Sequence, residues 1–429
     1  TYTPLGASGH SAAVLTLPGF GVAVLLLIFF AAVNILGVRW LARTNNVIMW
    51  WKVSIPVVTA VVLLVGFFHP GNLTAHGGFA PFGMQGVLAG LAGGGVIFAL
   101  EGFEQAIQLA GEGRNPQRNI PIAVISSIII GAIIYILLQL SFLGALNPRD
   151  LAQGWNHLGP TGHAGIAFGP FAGLATSLGL GGLAILLYID AFVSPAGTGL
   201  IYFASSSRMS FGASKNGYIP TVFEYLNTRG VPAIGIVACV VVGVILLLPF
   251  PGWRSLVSFI TAAYVISYAA APLALSALRH QLPDQRRPYR LPAAKLLSPL
   301  GFIVANLIVY WTGWDTDWKL FAAIILGFSL LALSGFFKAN PKRQKLDWGS
   351  AVWLWPYLGG MALISYLGAF PATHHGMIPF GFWDTAVVVV FSLGIYFLAL
   401  HFRLDPAQTR AYIEQQGVVE EEADRLPVE

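Results

Sequence analysis

The chain has 429 residues, 56% of them hydrophobic and only 10% charged, against about 25% charged in an ordinary soluble domain. That balance excludes a water-soluble fold of this length. The formal net charge of +5 is dispersed over short loops rather than gathered on one face, which argues against a nucleic-acid partner, and the single Cys239 permits no intrachain disulfide.

Apolar runs of about 18 to 25 residues, each long enough for roughly 30 Å of hydrocarbon, recur over the whole length. They predict an all-α integral membrane protein with about eleven transmembrane helices, at 20–38, 47–68, 86–110, 122–143, 173–203, 233–250, 256–277, 297–314, 318–337, 351–369 and 382–402. The partner of those faces is the lipid bilayer. The first span follows residues with neither a basic signal region nor an initiating methionine. In the second, Lys52 lies about six residues, or roughly 9 Å, inside the span. It follows Trp50 and Trp51, residue types that favour the membrane interface. Lys52 therefore reads either as a snorkelling anchor or as a buried amine able to exchange a proton.

The third span carries Phe98-Ala99-Leu100-Glu101-Gly102-Phe103-Glu104 in its middle. Two carboxylates at lipid depth cost several kcal/mol unless they face a cavity, a partner or a solute. On a regular turn Glu101 and Glu104 share a face, and Gly102 loosens the backbone so that amides and carbonyls can hold a ligand's ammonium and carboxylate. The alternative is that both acids pair with basic groups or water inside the bundle. The preceding run Gly93 to Gly95, with Ala89, Gly90 and Ala92, reads as a packing surface. Beyond the span, Glu112 to Pro121 is a polar loop, with Asn115-Pro116 starting a turn and Pro121 opening the fourth helix.

In the fifth span Asp190 has about fifteen apolar or small residues on either side, which places it near the bilayer centre and marks it as functional. Ser194, Pro195 and Thr198 follow, where a missing backbone donor and two hydroxyls form either a plain kink or a place for an ion or substrate. His374 and His375 stand in an external loop without ligand partners at metal spacing, so no metal site is expected. No phosphate loop, nucleophile elbow or His-Glu-x-x-His helix is present, so neither a cofactor nor an enzymatic activity is expected.

Assigning alternate loops to opposite sides puts nineteen of the 23 Lys and Arg on one side, against Arg149, Arg254 and Lys319 on the other, with Lys52 inside a span. The richer side is cytoplasmic by the positive-inside rule, and the C-terminus lies there. An odd number of earlier helices would bring the N-terminus to the same side, so the chain reads as part of a longer membrane protein.

The stretch Phe98 to Glu104, followed by Glu112 and Asn115-Pro116-Gln117-Arg118-Asn119-Ile120-Pro121, resembles the sixth helix and following loop of the amino acid-polyamine-organocation permeases. Asn34 to Val38 with Lys52 resembles the end of that family's fourth helix and the lysine of its fifth. Ser205 to Met209, with Asn216 to Pro220 and Asn227 to Pro232, resembles its loop between helices eight and nine, and Arg287 to Pro292 the loop after helix ten. These pieces occur in family order, and the last two spans resemble the fourteen-helix branch, similar to aspartate-proton symporters.

The resemblance implies an inverted five-helix-repeat transporter bundle whose site lies between broken helices one and six. The chain would then lack helices one to three. Residues 1–295 would hold helices four to ten behind an extracellular stub, 296–402 four additional helices, and 403–429 a cytoplasmic tail. Phe98 would cap the substrate, and Ala99, Leu100, Glu101 and Gly102 would form the unwound segment whose carbonyls receive its amino group. Lys52 would stand where sodium-coupled relatives hold a cation, and Glu104 would serve coupling together with Asp190. Glu101 departs from the apolar or small residue of the family pattern, and would suit a cationic substrate if ionised or an acidic one if protonated. The expectation is a cytoplasmic-membrane transporter of amino acids or related amines, coupled to protons rather than sodium. An amino acid/polyamine exchanger and a nontransporting membrane sensor are the alternatives.

Overall fold

Long apolar runs with few turn residues dictate helices, because a backbone in hydrocarbon must satisfy its own hydrogen bonds. The computed structural model describes residues 2–4, 13–36, 38–75, 77–92, 94–108, 115–151, 169–247, 253–285, 287, 289–336, 340–341, 346–370 and 376–414. Its helices are α1 Leu17–Leu36, α2 Val38–Gly66, α3 Gly83–Ala92, α4 Val96–Leu100, α5 Glu104–Gln108, α6 Pro116–Ala145, α7 Pro148–Leu151 and α8 Pro170–Ser177. There follow α9 Gly181–Lys215, α10 Ala233–Leu247, α11 Trp253–Tyr268, α12 Ala270–Gln281, α13 Ala294–Thr312, α14 Trp314–Phe336, α15 Leu354–Leu367 and α16 Phe382–His401. The fold is the expected all-α membrane type, and every predicted span is occupied at least in part by helix. Eight stretches among the described residues are long and apolar enough to cross a membrane. The remaining spans hold the interrupted α3 to α5 segment, α10 and α15.

Ahead of α1, β1 Tyr2–Pro4 pairs antiparallel with β2 Ala13–Leu15, Tyr2 opposite Leu15. Two boundaries depart from expectation. α6 begins at Pro116 rather than 122, because Asn115 adopts a left-handed conformation (φ 48°) and Pro116 takes the first helical position, where its missing N–H costs nothing. The fifth span divides at residues 178–180 into α8 and α9, and α9, which holds Pro195 within it, runs on past residue 203 to Lys215.

The chain forms two compact units. The first comprises residues 1–87, 100–253 and 331–344. Within it α2 packs on α6 and α9, and α9 also packs on α1, α8 and α10. Leu63, Leu146, Leu151 and Leu174 close one apolar cluster, and Ala31, Phe203, Val231 and Ile236 another. Asn72 is buried and donates to the carbonyls of Leu143 (3.0 Å), Gly144 (3.3 Å) and Leu146 (2.8 Å), so it satisfies the C-terminal end of α6.

The second unit comprises residues 88–99, 254–330 and 345–429. Its core gathers Phe302, Tyr357, Met361 and Tyr396 around α13, α15 and α16. Polar groups inside it are joined to one another. Asn306 donates to Ser392 and accepts from Tyr357, and Ser276, Ser298 and Tyr396 form a hydroxyl triad. In lipid such pairing is the alternative to an unsatisfied group, and each bond contributes about 1 kcal/mol or less.

Candidate functional site

The suspected third span is broken, and at two places. α3 ends at Ala92, Gly95 takes φ +87°, and α4 runs only from Val96 to Leu100. Residues 101–103 turn with Gly102 at φ +110°, and α5 starts at Glu104. That angle strains any L-residue with a side chain, so the break is written by the glycine itself. Gly95 shows that the glycine run is a second interruption rather than merely the expected packing surface.

The unwound residues lie further along than the resemblance implied. Ala99 N–H donates to the Gly95 carbonyl at 2.9 Å, which keeps Ala99 and Leu100 helical, together with Phe98. Only Glu101 and Gly102 of the expected segment stand in the turn. Glu101 and Glu104 consequently do not share a regular helix face, because Gly102 reverses the backbone between them. Phe98 and Ala99 fall in the second unit, and Leu100 to Glu104 in the first.

Glu104 is 6% exposed. Its Oε2 accepts from the Gly102 N–H at 2.8 Å, and its Oε1 accepts from Gln105 Nε2 at 3.3 Å and from the Tyr202 hydroxyl at 3.2 Å. These donors offset the desolvation of a carboxyl group in the bundle. Tyr202, on α9, was not singled out by sequence.

Lys52 lies fourteen residues after the start of α2, and its Nζ donates to Thr198 Oγ1 of α9 at 2.5 Å. The amine is turned toward α9. Close approach here needs Gly197: a Cβ at that position would stand 2.6 Å from Ile48 Cγ2 and 3.5 Å from Lys52 Cε. The neighbouring Trp51, read from sequence as an interface residue, donates its indole N–H to Asp190 Oδ1 at 2.9 Å. Ser194 Oγ donates to the same oxygen at 2.7 Å, and Thr198 Oγ1 donates to the Ser194 carbonyl at 3.1 Å. Neither Lys52 nor Asp190 forms an ion pair within 4.0 Å among the described residues.

Asp190, Ser194, Thr198 and Tyr202 recur every fourth residue on α9, a polar stripe about 18 Å long on one helix face. Trp51, Lys52 and Glu104 engage it in that order. The structure thus brings Lys52, Glu104 and Asp190 onto one stripe. The spacing of four was readable in the sequence, whereas the partners on α2 and α5 were not.

Among the described residues no group of three or more His, Cys, Asp or Glu could hold a metal ion. His374, His375 and Glu112 lie outside the described residues. A basic amine, two carboxyl groups and three hydroxyls along one helix can hold, exchange or shield a proton, and they include no activated nucleophile.

Residues 5–331 match the family model described as Amino acid permease. The Glutamate/serine transporter AimA of Bacillus subtilis (strain 168) is 39% identical over 391 residues, covering 90% of this chain and 70% of the relative. The Aspartate-proton symporter of the same organism is 35% identical over 395 residues, covering 91% and 74%. The Branched-chain amino acid permease BcaP of Lactococcus lactis subsp. cremoris (strain MG1363) is 23% identical over 335 residues, covering 76% and 66%.

Proposed function

The chain belongs to the amino acid permease family, whose members carry amino acids across membranes by secondary transport and are not enzymes, and within that activity we propose proton-coupled symport of an acidic or small polar amino acid. The observation that carries the coupling is the Lys52 amine seated on Thr198, on the same α9 stripe as Asp190 and Tyr202. A lysine in that place is a movable positive charge: protonated, it sets a charge beside the α9 stripe as a bound cation would, and neutral, it leaves the stripe without that charge. The Thr198 hydroxyl accepts its hydrogen bond in either state. Asp190 sits two helical turns away with two donors of its own, a fixed group that biases Lys52 through space rather than by direct pairing.

The substrate side of the proposal rests on Phe98 to Gly102. Broken helices expose backbone groups that read an amino acid's ammonium and carboxylate, and the break at Gly102 supplies such groups beside Glu101. Two relatives are named for glutamate or aspartate, which supports an acidic substrate with Glu101 protonated in the loaded state. We assign the transport core to residues 1–295, the additional helices to 296–402 and a cytoplasmic tail to 403–429. Localisation in the cytoplasmic membrane with the C-terminus inside follows from the distribution of basic residues.

The test is uptake of radiolabelled glutamate, aspartate and serine into proteoliposomes containing the full-length protein. An inward proton gradient should drive accumulation, and Lys52→Ala should uncouple it. Sodium-driven uptake that Lys52→Ala leaves unchanged would refute the proton assignment.

A further inference from the structure

Two carboxyl groups in the second unit, Asp317 and Asp384, are fully buried and take no part in the transport chemistry above. Their surroundings call for opposite protonation states. Asp384 Oδ1 accepts from the N–H groups of Gly381 (2.9 Å) and Thr385 (2.6 Å) and from the Thr385 hydroxyl (3.3 Å), and its Oδ2 accepts from the Tyr310 hydroxyl (3.0 Å). Four donors at the start of α16 are what an ionised carboxylate needs.

Asp317, in the first turn of α14, has only hydroxyl neighbours. Its Oδ2 lies 2.6 Å from Ser365 Oγ of α15, and its Oδ1 lies 2.5 Å from Thr312 Oγ1 at the end of α13. The same Thr312 oxygen stands 2.6 Å from the Val309 carbonyl. A threonine hydroxyl carries one proton, which cannot lie on both lines. If Asp317 were ionised, one of these two oxygen pairs would touch at hydrogen-bond distance with no hydrogen between them. A protonated Asp317 resolves all three contacts: the carboxyl donates to Thr312, Thr312 donates to Val309, and Ser365 donates to Oδ2.

We infer that Asp317 is a resident-proton site, a neutral carboxylic acid that ties the α13–α14 connection to α15. The titratable groups on the elements around it are Lys295 and Tyr310 of α13, Tyr357 and Tyr366 of α15, Asp384, Tyr396 and His401 of α16, and Asp315 and Lys319 on α14 itself. None of them bonds to Asp317, so no neighbouring cation compensates for loss of the proton. An acid that is neutral in the folded protein and ionised in the unfolded one takes up a proton on folding. Its contribution to stability is therefore greatest at acid pH, where the unfolded chain is protonated as well, and declines as pH rises above the ordinary carboxylate range.

Asp317→Asn keeps the neutral shape, with an amide that donates to Thr312 and a carbonyl that accepts from Ser365. Purified full-length Asp317→Asn should unfold at no lower a temperature than wild type at neutral pH, and wild type should gain stability relative to it as pH is lowered toward the ordinary carboxylate range, whereas Asp317→Ala should be less stable than Asp317→Asn throughout. The infrared difference spectrum, wild type minus Asp317→Asn at neutral pH, should contain a carboxylic-acid C=O stretch and no carboxylate bands. Carboxylate bands in that difference would overturn the inference. So would an Asp317→Asn protein that fails to fold or is as unstable as Asp317→Ala, since the amide reproduces every hydrogen bond of the neutral acid.

Discussion

Substituting alanine for Gly197 adds one methyl group at a point of close approach between α2 and α9. The new Cβ would meet Ile48 Cγ2 at 2.6 Å, whereas carbon atoms rest at about 3.5–4.0 Å, so the helices must part by roughly 1 Å. Ile48 is β-branched and its Cγ2 cannot swing aside cheaply. Overpacking of this kind costs about 1–3 kcal/mol. The same displacement stretches the 2.5 Å Lys52–Thr198 bond toward about 3.5 Å, where a hydrogen bond is lost. Thermal unfolding of purified full-length Gly197→Ala should reveal the lower stability, and proton-driven uptake in proteoliposomes should fall with it. Adding Ile48→Ala makes room for the methyl group, so the double variant should be more stable than the sum of the two single changes by about 1 kcal/mol or more. A Gly197→Ala protein with unchanged stability and uptake, or a strictly additive pair, would refute the close-approach reasoning.

Gly102→Ala forces a side chain onto a backbone at φ +110° and should cost about 1–3 kcal/mol; thermal unfolding measures that loss, and uptake assays should show weaker substrate binding because the break itself is disturbed. Asn72→Ala leaves three carbonyls at the end of α6 without their shared donor and should lower stability by about 1–3 kcal/mol. Competition assays with other amino acids should find the substrate preference of the Asn72 variant unchanged.

Much of this architecture was legible in the residues. Lipid demands long apolar helices, so the spans could be drawn from composition, and ionisable groups are costly enough there that Lys52, Glu104 and Asp190 stood out. The broken segment was found for the same reason, but its register was not. Ala99 and Leu100 carry no local mark separating them from Glu101; what keeps them helical is a bond back to Gly95, whose own backbone angle only the fold reveals. The α9 stripe illustrates the other limit. Asp190, Ser194, Thr198 and Tyr202 announce a common face by their spacing, yet pairing that face with Trp51, Lys52 and Glu104 joins residues about a hundred or more positions apart. Periodicity carries no information about such distant partners. Trp51 gave no sign of its partner, because an indole beside a lysine fits a membrane surface as well as it fits an aspartate on a neighbouring helix.

α6 differs from its neighbours in a way that bears on how the helices meet. No residue in its most apolar eighteen-residue window is buried, and Ile122, Ile129, Ile133 and Ile136 lie exposed along it. With its backbone bonds satisfied internally, such a helix is at home in lipid before any neighbour arrives. α2 and α9 are not: each carries an ionisable group that finds polar company on the other. α6 therefore needs no polar partner in lipid, whereas Lys52 of α2 and Asp190 of α9 find theirs only once the two helices, more than a hundred residues apart in the chain, have met.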